Sequence, residues 1–333
     1  MTTATLSCTR VQADDDAALH AWYDVRRQVE EHDLPGDPEI GWSRHVGQLR
    51  YPWPGTEVQA FLARQDGELV GWFGFSLPLT ENRDTAYLEL QVHPAHRRRG
   101  VGTALLAEVR ARVLEHGRRR VISGLTGPGA EAFATGVGAR AVLADTQRRL
   151  DLTTLDPDRL DALWAEATAH STGYSLLRWV GATPEEHLEA VAALESRMTT
   201  DAPMDDLQWE QEVFDTDRYR GRDAVMLARR NRAYTSVVVH DATGVVVGTT
   251  SLVVSDGVDD TAAQFQTIVE PAHRGHRLGL LLKVGNLRFL QEHEPTVIRV
   301  DTFNADSNAP MLRVNVAMGF QPVRQWAEWE LVL

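Results

Sequence analysis

The 333-residue sequence predicts an α+β protein of mixed α/β order, built as two tandem domains, each a splayed mixed sheet flanked by helices. Three observations carry this. Leu88 to Val109, LELQVHPAHRRRGVGTALLAEV, opens as an alternating apolar strand, passes Pro94 and three arginines, turns through Gly100-Val101-Gly102 and becomes a helix from Thr103. The same design returns at Gln266 to Leu282, QTIVEPAHRGHRLGLLL. The two stretches also stand at one offset: Val269, Pro271, Arg274 and Gly279 lie 177 positions beyond Val92, Pro94, Arg97 and Gly102, as Gly244 and Gly248 do beyond Gly67 and Gly71. A constant offset across strand, turn and strand implies an internal duplication with no insertion or deletion between these points.

Outside that region the copies drift. Asp33-Leu34-Pro35-Gly36-Asp37 matches Asp201-Ala202-Pro203-Met204-Asp205 at an offset of 168, so the second copy holds nine more residues between this acidic loop and its hairpin. Near the end, Gly319-Phe320 resembles Gly138-Ala139, four residues short of the constant offset, which makes the first copy's last helix about a turn shorter. The expected division is therefore 1–153 and 173–333, with a helical connector at 154–172.

In order, residues 4 to 12 read as a first strand, and Asp14-Asp15-Asp16 before AALHAWYDVRRQVEEH reads as an acid-capped amphipathic helix. The Gly/Pro-rich segment 34 to 55 reads as a substrate-side loop with a short helix. Strands follow at about 58–65, 68–77 and 86–93, then a helix to His116, the strand RVISGL, the short helix EAFATGV and a closing strand pair from Ala139 to Leu152. TLDPDRLDALWAEATAH, bounded by Asp156-Pro157, forms the connector helix. The second copy opens with YSLLRWVG as strand and TPEEHLEAVAALESRM as helix, with Thr183 as N-cap, Pro184 first and Glu186 in the capping-box place. After the acidic loop and LQWEQEVF come strands at 234–241, 245–254 and 262–269. A helix to about Glu292, the strand TVIRVDTF, the segment NADSNAPMLRVNVAMGF and the strand QWAEWELVL complete the chain.

Composition bounds the function. At 43% apolar and 24% charged residues the chain reads as an ordinary soluble globular protein, large enough for two cores. A net charge of -13 argues against a nucleic-acid partner, whose binding rests on clustered cations. No apolar run reaches membrane-spanning length and the first residues lack the basic-then-apolar order of a signal peptide, so neither a membrane nor export is expected. The single Cys8 excludes an internal disulfide and a Cys-based zinc site, and the expected location is cytoplasmic.

The two turns themselves predict anion cradles. The first amides of a helix have no intrahelical acceptor, the dipole there is positive, and glycines admit close approach of a phosphate or pyrophosphate. Arg97, Arg98 and Arg99 add charge-assisted donors.

These residues resemble the signature of the GNAT (GCN5-related N-acetyltransferase) family, Arg/Gln-x-x-Gly-x-Gly/Ala after the fourth strand. The first copy matches it as Arg97-x-x-Gly100-x-Gly102, and the second as Arg274-x-x-Arg277-x-Gly279, with arginine at the first glycine. The likeness covers nearly the whole chain, and the two-copy layout resembles the tandem actinobacterial acetyltransferases that include mycothiol synthase. The resemblance implies acetyl-CoA as acyl donor, with its pyrophosphate in the turn and its pantetheine along the fourth strand. That assigns Leu90, Gln91, Val92, Arg97, Arg98, Arg99, Gly100, Val101, Gly102 and Thr103 in the first copy. It assigns Thr267, Ile268, Val269, Arg274, Gly275, His276, Arg277, Leu278, Gly279 and Leu280 in the second, with Asn304 at the entrance of the last helix. The family's Asn-x-x-Ala places Asn308, and its tyrosine position falls on Asn315 in the second copy and Ala134 in the first, so no phenol protonates the leaving thiolate. Asn315 is then expected to hydrogen-bond the thioester or the sulfur.

Transfer to an amine needs a base and a polarised thioester carbonyl. Glu89 is the first copy's candidate base, with a solvent-facing strand residue as the equal alternative; Gln264 and Gln266 hold the corresponding strand in the second copy, where Asp201, Asp205 or Asp206 would serve. The acidic loops suit either a cationic amine or plain turn formation. His93/His96 and His273/His276 lack a carboxylate at ligand spacing, so no metal is expected. The basic run His116 to Arg120 complements a helix end, Trp42, Trp53 and Trp209 read as core or as cleft walls, and Cys8 has no role. The expected activity is acetyl transfer to a small-molecule amine by direct attack on the thioester, in a monomer or homodimer; the alternative is an acyl-CoA-binding sensor or scaffold without turnover.

Overall fold

The computed structural model describes residues 6–333. The elements are β1 (Leu6–Arg10), α1 (Asp16–Asp33), α2 (Trp42–Arg50), β2 (Thr56–Gln65), β3 (Glu68–Pro78), β4 (Thr85–Val92), α3 (Val101–Glu115), β5 (Arg120–Leu125), α4 (Pro128–Gly136) and β6 (Arg140–Asp151). They continue as α5 (Pro157–His170), β7 (Tyr174–Val180), α6 (Glu185–Ser196), α7 (Met198–Asp201), α8 (Thr216–Ala228), β8 (Arg232–His240), β9 (Val245–Val254), β10 (Thr261–Val269), α9 (Leu278–His293), β11 (Arg299–Ala305), α10 (Ala309–Met318) and β12 (Gln321–Val332). Residues 4 and 5 of the expected first strand lie outside the described residues.

The chain forms two compact units, one running to Val142 with Ala327–Leu333, the other Leu143–Trp326. These are not the halves cut at 153 and 173, because the copies exchange their last strands. The end of β12 pairs antiparallel with β5, Ala327 opposite Leu125 through Val332 opposite Arg120. The end of β6 pairs antiparallel with β11, Arg299 opposite Asp151 through Ala305 opposite Asp145. The closing strand pair expected from Ala139 to Leu152 is instead the single strand β6, since nothing between Arg140 and Asp151 favours a turn.

Each unit repeats one topology. The first orders its strands β1-β2-β3-β4-β5-β12, and the second β7-β8-β9-β10-β11-β6. All these pairs are antiparallel except β4–β5 and β10–β11. Those two parallel pairs are short, joining only Thr85–Tyr87 to Arg120–Ile122 and Thr261–Ala263 to Arg299–Asp301. Beyond them Leu88–Val92 and Gln264–Val269 have one strand edge without a partner, which is the splay expected from the sequence.

The constant offset hides one change. Val269 stands 177 positions beyond Val92, but Thr261 stands 176 beyond Thr85, so β10 holds one extra residue and β9 before it one fewer than β3. The extra residue is a bulge: the β10–β9 register shifts between Gln264 and Thr267, whereas β4 runs against β3 without a shift.

Both faces of each sheet are covered. In the first unit α3 packs Val101, Leu105, Val109 and Val113 against Phe61, Phe73 and Phe75, while Trp22 and Val25 of α1 and Val46 of α2 pack against Ala60, Leu62 and Trp72. In the second, α9 covers one face and Leu188 and Val191 of α6 with Tyr219 of α8 cover the other. The connector helix α5 is part of that core through Leu160 and Ala167, and a Cβ at Gly285 of α9 would lie 3.0 Å from Trp164. Helix α8 was not expected from the sequence, although Asp215 caps it by accepting from the Arg218 amide at 2.7 Å. Thr183 is not the cap of α6; Pro184 holds that place, and the Thr183 amide donates to Asp223. The basic run is tied into the fold more closely than a dipole requires, with Arg118 donating to the carbonyls of Pro78 and Arg83 and Arg120 bridging Asp84 and Glu330.

Lys283 stands on α9 where the first copy has the core residue Leu106. It is 1% exposed, its ammonium 5.0 Å from the Phe320 ring, and burial pushes its pKa down to about 7. The unfolded chain therefore binds more protons than the folded one from about pH 7 up to the ordinary lysine range, and stability rises with pH across that window. The expected outcome is a thermal midpoint that climbs with pH above neutrality, with the climb flattened in Lys283→Met; equal slopes in the two proteins would show the amine to be solvated.

Candidate functional site

Each cradle begins where its strand runs out. After β4 and β10 the chain makes a single 3-10 turn, Pro94–His96 or Pro271–His273, opened by a proline whose fixed φ suits it. It then enters the left-handed region twice before the helix. In the first unit these residues are Arg98 (φ 60°) and Gly100 (φ 83°), and in the second Gly275 (φ 89°) and Arg277 (φ 57°). The turns thus share one conformation, with glycine and arginine exchanged between its two strained positions. Arg277 keeps the shape that the signature glycine supplies, at a cost of about 1 kcal/mol, and its guanidinium pairs with Glu166 of α5 at 2.9 Å.

The amides of Arg99, Gly100, Val101, Gly102 and Thr103 donate to no acceptor among the described residues, nor do those of Gly275, His276, Arg277, Leu278 and Gly279. Each set surrounds the positive end of a helix of fifteen or sixteen residues. Arg98, Arg99 and Thr103 are exposed beside the first set, and His276 beside the second. The cradles differ in room: a Cβ at Gly102 would lie 3.4 Å from the Phe133 ring of α4, while one at Gly279 would meet nothing within 4 Å. Leu280, by contrast, is buried and its amide bonds the Arg277 carbonyl, so it supports the turn from below.

The first arginine of each signature is spent on the fold. Arg97 Nε donates to the Val92 carbonyl at 3.0 Å, and its two terminal nitrogens grip the two Asp33 oxygens at 2.7 Å each. Arg274 repeats this with Val269 at 3.1 Å and Asp201 at 2.7 Å. Asp33 and Asp201 are the first residues of the repeated acidic loops, so each loop anchors the cradle of its own unit. Asp205 is likewise engaged, accepting from the Ser307 hydroxyl at 2.8 Å. Asp206 is exposed.

Leu90, Gln91 and Val92, and Thr267, Ile268 and Val269, lie on the strand segments with a free edge. Gln91 accepts from the Trp72 indole at 2.9 Å, and Thr250 and Thr267 share a 2.8 Å hydroxyl bond. Glu89 is half exposed, with Arg26 of α1 3.2 Å away. Its counterpart at the constant offset, Gln266, accepts from Arg222 of α8 at 3.3 Å, and Arg222 also stands 3.0 Å from Glu195. Both units therefore back this strand position with an arginine, buried Arg26 in one and part-buried Arg222 in the other, taken from different helices. No sequence spacing pointed to Arg26 or Arg222.

On the other side of the second splay Asn315 is fully buried and donates from Nδ2 to Asn304 Oδ1 at 2.6 Å. Asn304, on β11, is the partly exposed member of the pair. Asn308 caps α10 by accepting from the Met311 amide at 3.3 Å. Ala134 in the first unit is buried on α4. His93 bonds Gln28, and His273 bonds the Tyr174 hydroxyl at 2.9 Å. Trp42 stacks on His20 beside Tyr23, as part of the packing of α1 on α2. Among the described residues no group of three His, Cys, Asp or Glu side chains is placed to hold a metal, and no helix is long and apolar enough to cross a membrane.

A fold with a parallel strand pair that opens beside exposed helix amides defines a class, the carrier-dependent acyltransferases with a splayed central sheet. The Acetyltransferase (GNAT) family model matches residues 18–136. The tandem GNAT protein from the clavulanic acid biosynthesis pathway, solved without AcCoA, is 32% identical with a TM-score of 0.83, covering 98% of each chain. A GCN5-related N-acetyltransferase from Sphaerobacter thermophilus shares 17% identity and a TM-score of 0.66 over 98% of this chain and 95% of that one. Saccharomyces cerevisiae N-myristoyltransferase with bound myristoyl-CoA shares the fold at 10% identity and a TM-score of 0.62, over 99% of this chain and 83% of its own. No curated protein sequence matches. The chain belongs to the GNAT family and is a tandem N-acetyltransferase of it.

The Arg97–Asp33 clamp is bidentate but about one-third exposed, so its worth is on the order of 1 kcal/mol. Asp33→Asn and Arg97→Gln, each measured by denaturant unfolding, are expected to destabilise by similar amounts, with the double variant little worse than either alone. Additive losses would show that the two residues act apart.

Proposed function

We propose that the protein transfers an acetyl group from acetyl-CoA to the amine of a small molecule, by direct attack of the amine on the thioester carbonyl. The observation that carries this reading is the pairing, in each unit, of a five-amide cradle with an unpartnered strand edge. In this reading the amides of 99–103 and 275–279 hold the diphosphate, Arg98 and Arg99 add charge at the first cradle, and Leu90–Val92 and Thr267–Val269 offer backbone groups to the pantetheine arm. Arg97 and Arg274 act as positioning residues, since their donors already hold the strand end and the acidic loop.

The new N–C bond forms as the C–S bond breaks; CoA leaves as thiolate, and the proton the amine gives up passes by way of solvent to that thiolate, giving the free thiol. At the first unit Glu89 is the carboxylate on the strand, half exposed with Arg26 3.2 Å away, and so is placed to fix an ammonium. The second unit has the β10 bulge, which re-aims amides next to the free edge. It also has the Asn304–Asn315 pair in place of a phenol. Because Asn315 already spends its amide nitrogen on Asn304, the amide nitrogen of Asn304 is the donor open to the sulfur. The reading as a sensor or scaffold is favoured by one observation, the Phe133 ring packed beside Gly102 at the first cradle, where Gly279 of the second has open space.

Gly102→Glu and Gly279→Glu each place a carboxylate against a cradle. Acetyl-CoA titration by calorimetry is expected to show two sites in the parent protein and one in each variant. If neither substitution changes the titration, the cradle assignment is wrong. Thiol release over a panel of amines then separates turnover from binding alone.

A further inference from the structure

The α1–α2 side of β4 carries a charge arrangement that the cradles do not explain. Arg26 is buried, and each of its three nitrogens is engaged: Nε meets Glu30 at 2.7 Å, Nη1 meets Gln48 at 3.1 Å, and Nη2 stands 3.2 Å from Glu89. Its guanidinium lies 5.4 Å from the Trp72 ring centroid. Gln48 and Arg44 are one turn apart on α2 and so share a face. Arg44 is accordingly under the influence of Arg26, Glu30 and Glu89, yet it makes no hydrogen bond or ion pair among the described residues. Its side chain is open to solvent, one turn before the Gln48 that holds Arg26 against Glu89.

The four charges, Arg26 and Arg44 against Glu30 and Glu89, sum to zero. A bare ammonium brought to Glu89 leaves one uncompensated positive charge beside two guanidiniums. A molecule that carries its own carboxylate leaves none and gives Arg44 the partner it lacks, in a charge-assisted and, for arginine, potentially bidentate contact. An unpaired arginine alone on a surface asks for no ligand; Arg44 shares its helix face with the Gln48 that holds a second guanidinium, itself against the half-exposed Glu89.

We infer that Arg44 and Glu89 are the two ends of a subsite for a zwitterionic amino acid, with the acceptor's carboxylate on Arg44 and its ammonium on Glu89. This rests on the reading that the first unit receives an amine, and it narrows that reading to amines bearing a carboxylate. Arg26 positions Glu89, Gln48 positions Arg26, and Trp72 lies beneath as a reporter of binding.

The test uses the full-length protein saturated with CoA. Glycine, β-alanine, γ-aminobutyrate and δ-aminovalerate, the matching amides, and the plain alkylamines are titrated by tryptophan fluorescence. At least one of the amino acids is expected to bind, and its amide to bind roughly tenfold more weakly or worse, as loss of a charge-assisted contact implies. Arg44→Gln is expected to erase that difference while acetyl-CoA titration is unchanged, and Arg44→Lys to restore part of it. The proposal is overturned if no member of the amino acid series binds, if amides or alkylamines bind as well as the acids, or if Arg44→Gln keeps the preference. Loss of acetyl-CoA binding by the parent protein would instead remove the cofactor reading, so the two failures are told apart.

Discussion

Everything in each unit depends on a parallel strand pair that stops after three residues. Asp84 and Asp260 start it by accepting from the amides of Arg119 and Arg120, and of Ile298 and Arg299. The strands then part, and the far edge of β5 or β11 is held by β12 or β6. Backbone groups left without a strand partner must find another acceptor or donor. On the proposed function, a linear carrier with amide groups of its own satisfies that need, and the helix that follows supplies positive potential for its charged end.

The second constraint is the clamp at the mouth. A turn with two left-handed residues is held in place only if its ends are fixed, and the arginine after the 3-10 turn fixes both. It bonds back to the last strand carbonyl and outward to the acidic loop, in both copies and with nearly the same distances. The arginine in the family signature therefore earns its place here through geometry. That leaves the turn's amides unspent, with Arg98 and Arg99 exposed beside them.

The duplication has been used asymmetrically. One copy keeps the signature glycine, a regular fourth strand, and the charged group of Arg26, Glu89 and Arg44 beside it. The other substitutes Arg277, adds a bulge, and has Thr249, Thr250 and Ser251 on β9 and Thr267 on β10 where the first has Trp72, Phe73, Gly74 and Leu90. It also buries Lys283 without an anionic partner among the described residues. Exchange of the final strands means that neither copy closes its sheet alone, so the repeat in sequence and the compact unit in space are different objects.

The sequence by itself determined the duplication, the strand–turn–helix order and the position of both cradles, because those follow from local periodicity and from glycine and proline at fixed spacing. It also held the aspartate–arginine pairs in plain sight, as repeated motifs at offsets of 168 and 177, without saying that they touch. Only the tertiary structure decided that β6 and β12 change places, that the extra residue of β10 becomes a bulge, and that the connector helix belongs to a core. The same holds for Arg26, Gln48 and Arg44. They come from two helices separated by a loop, and their convergence on Glu89 depends on how α1 and α2 pack on the sheet, which residue spacing along a chain does not encode.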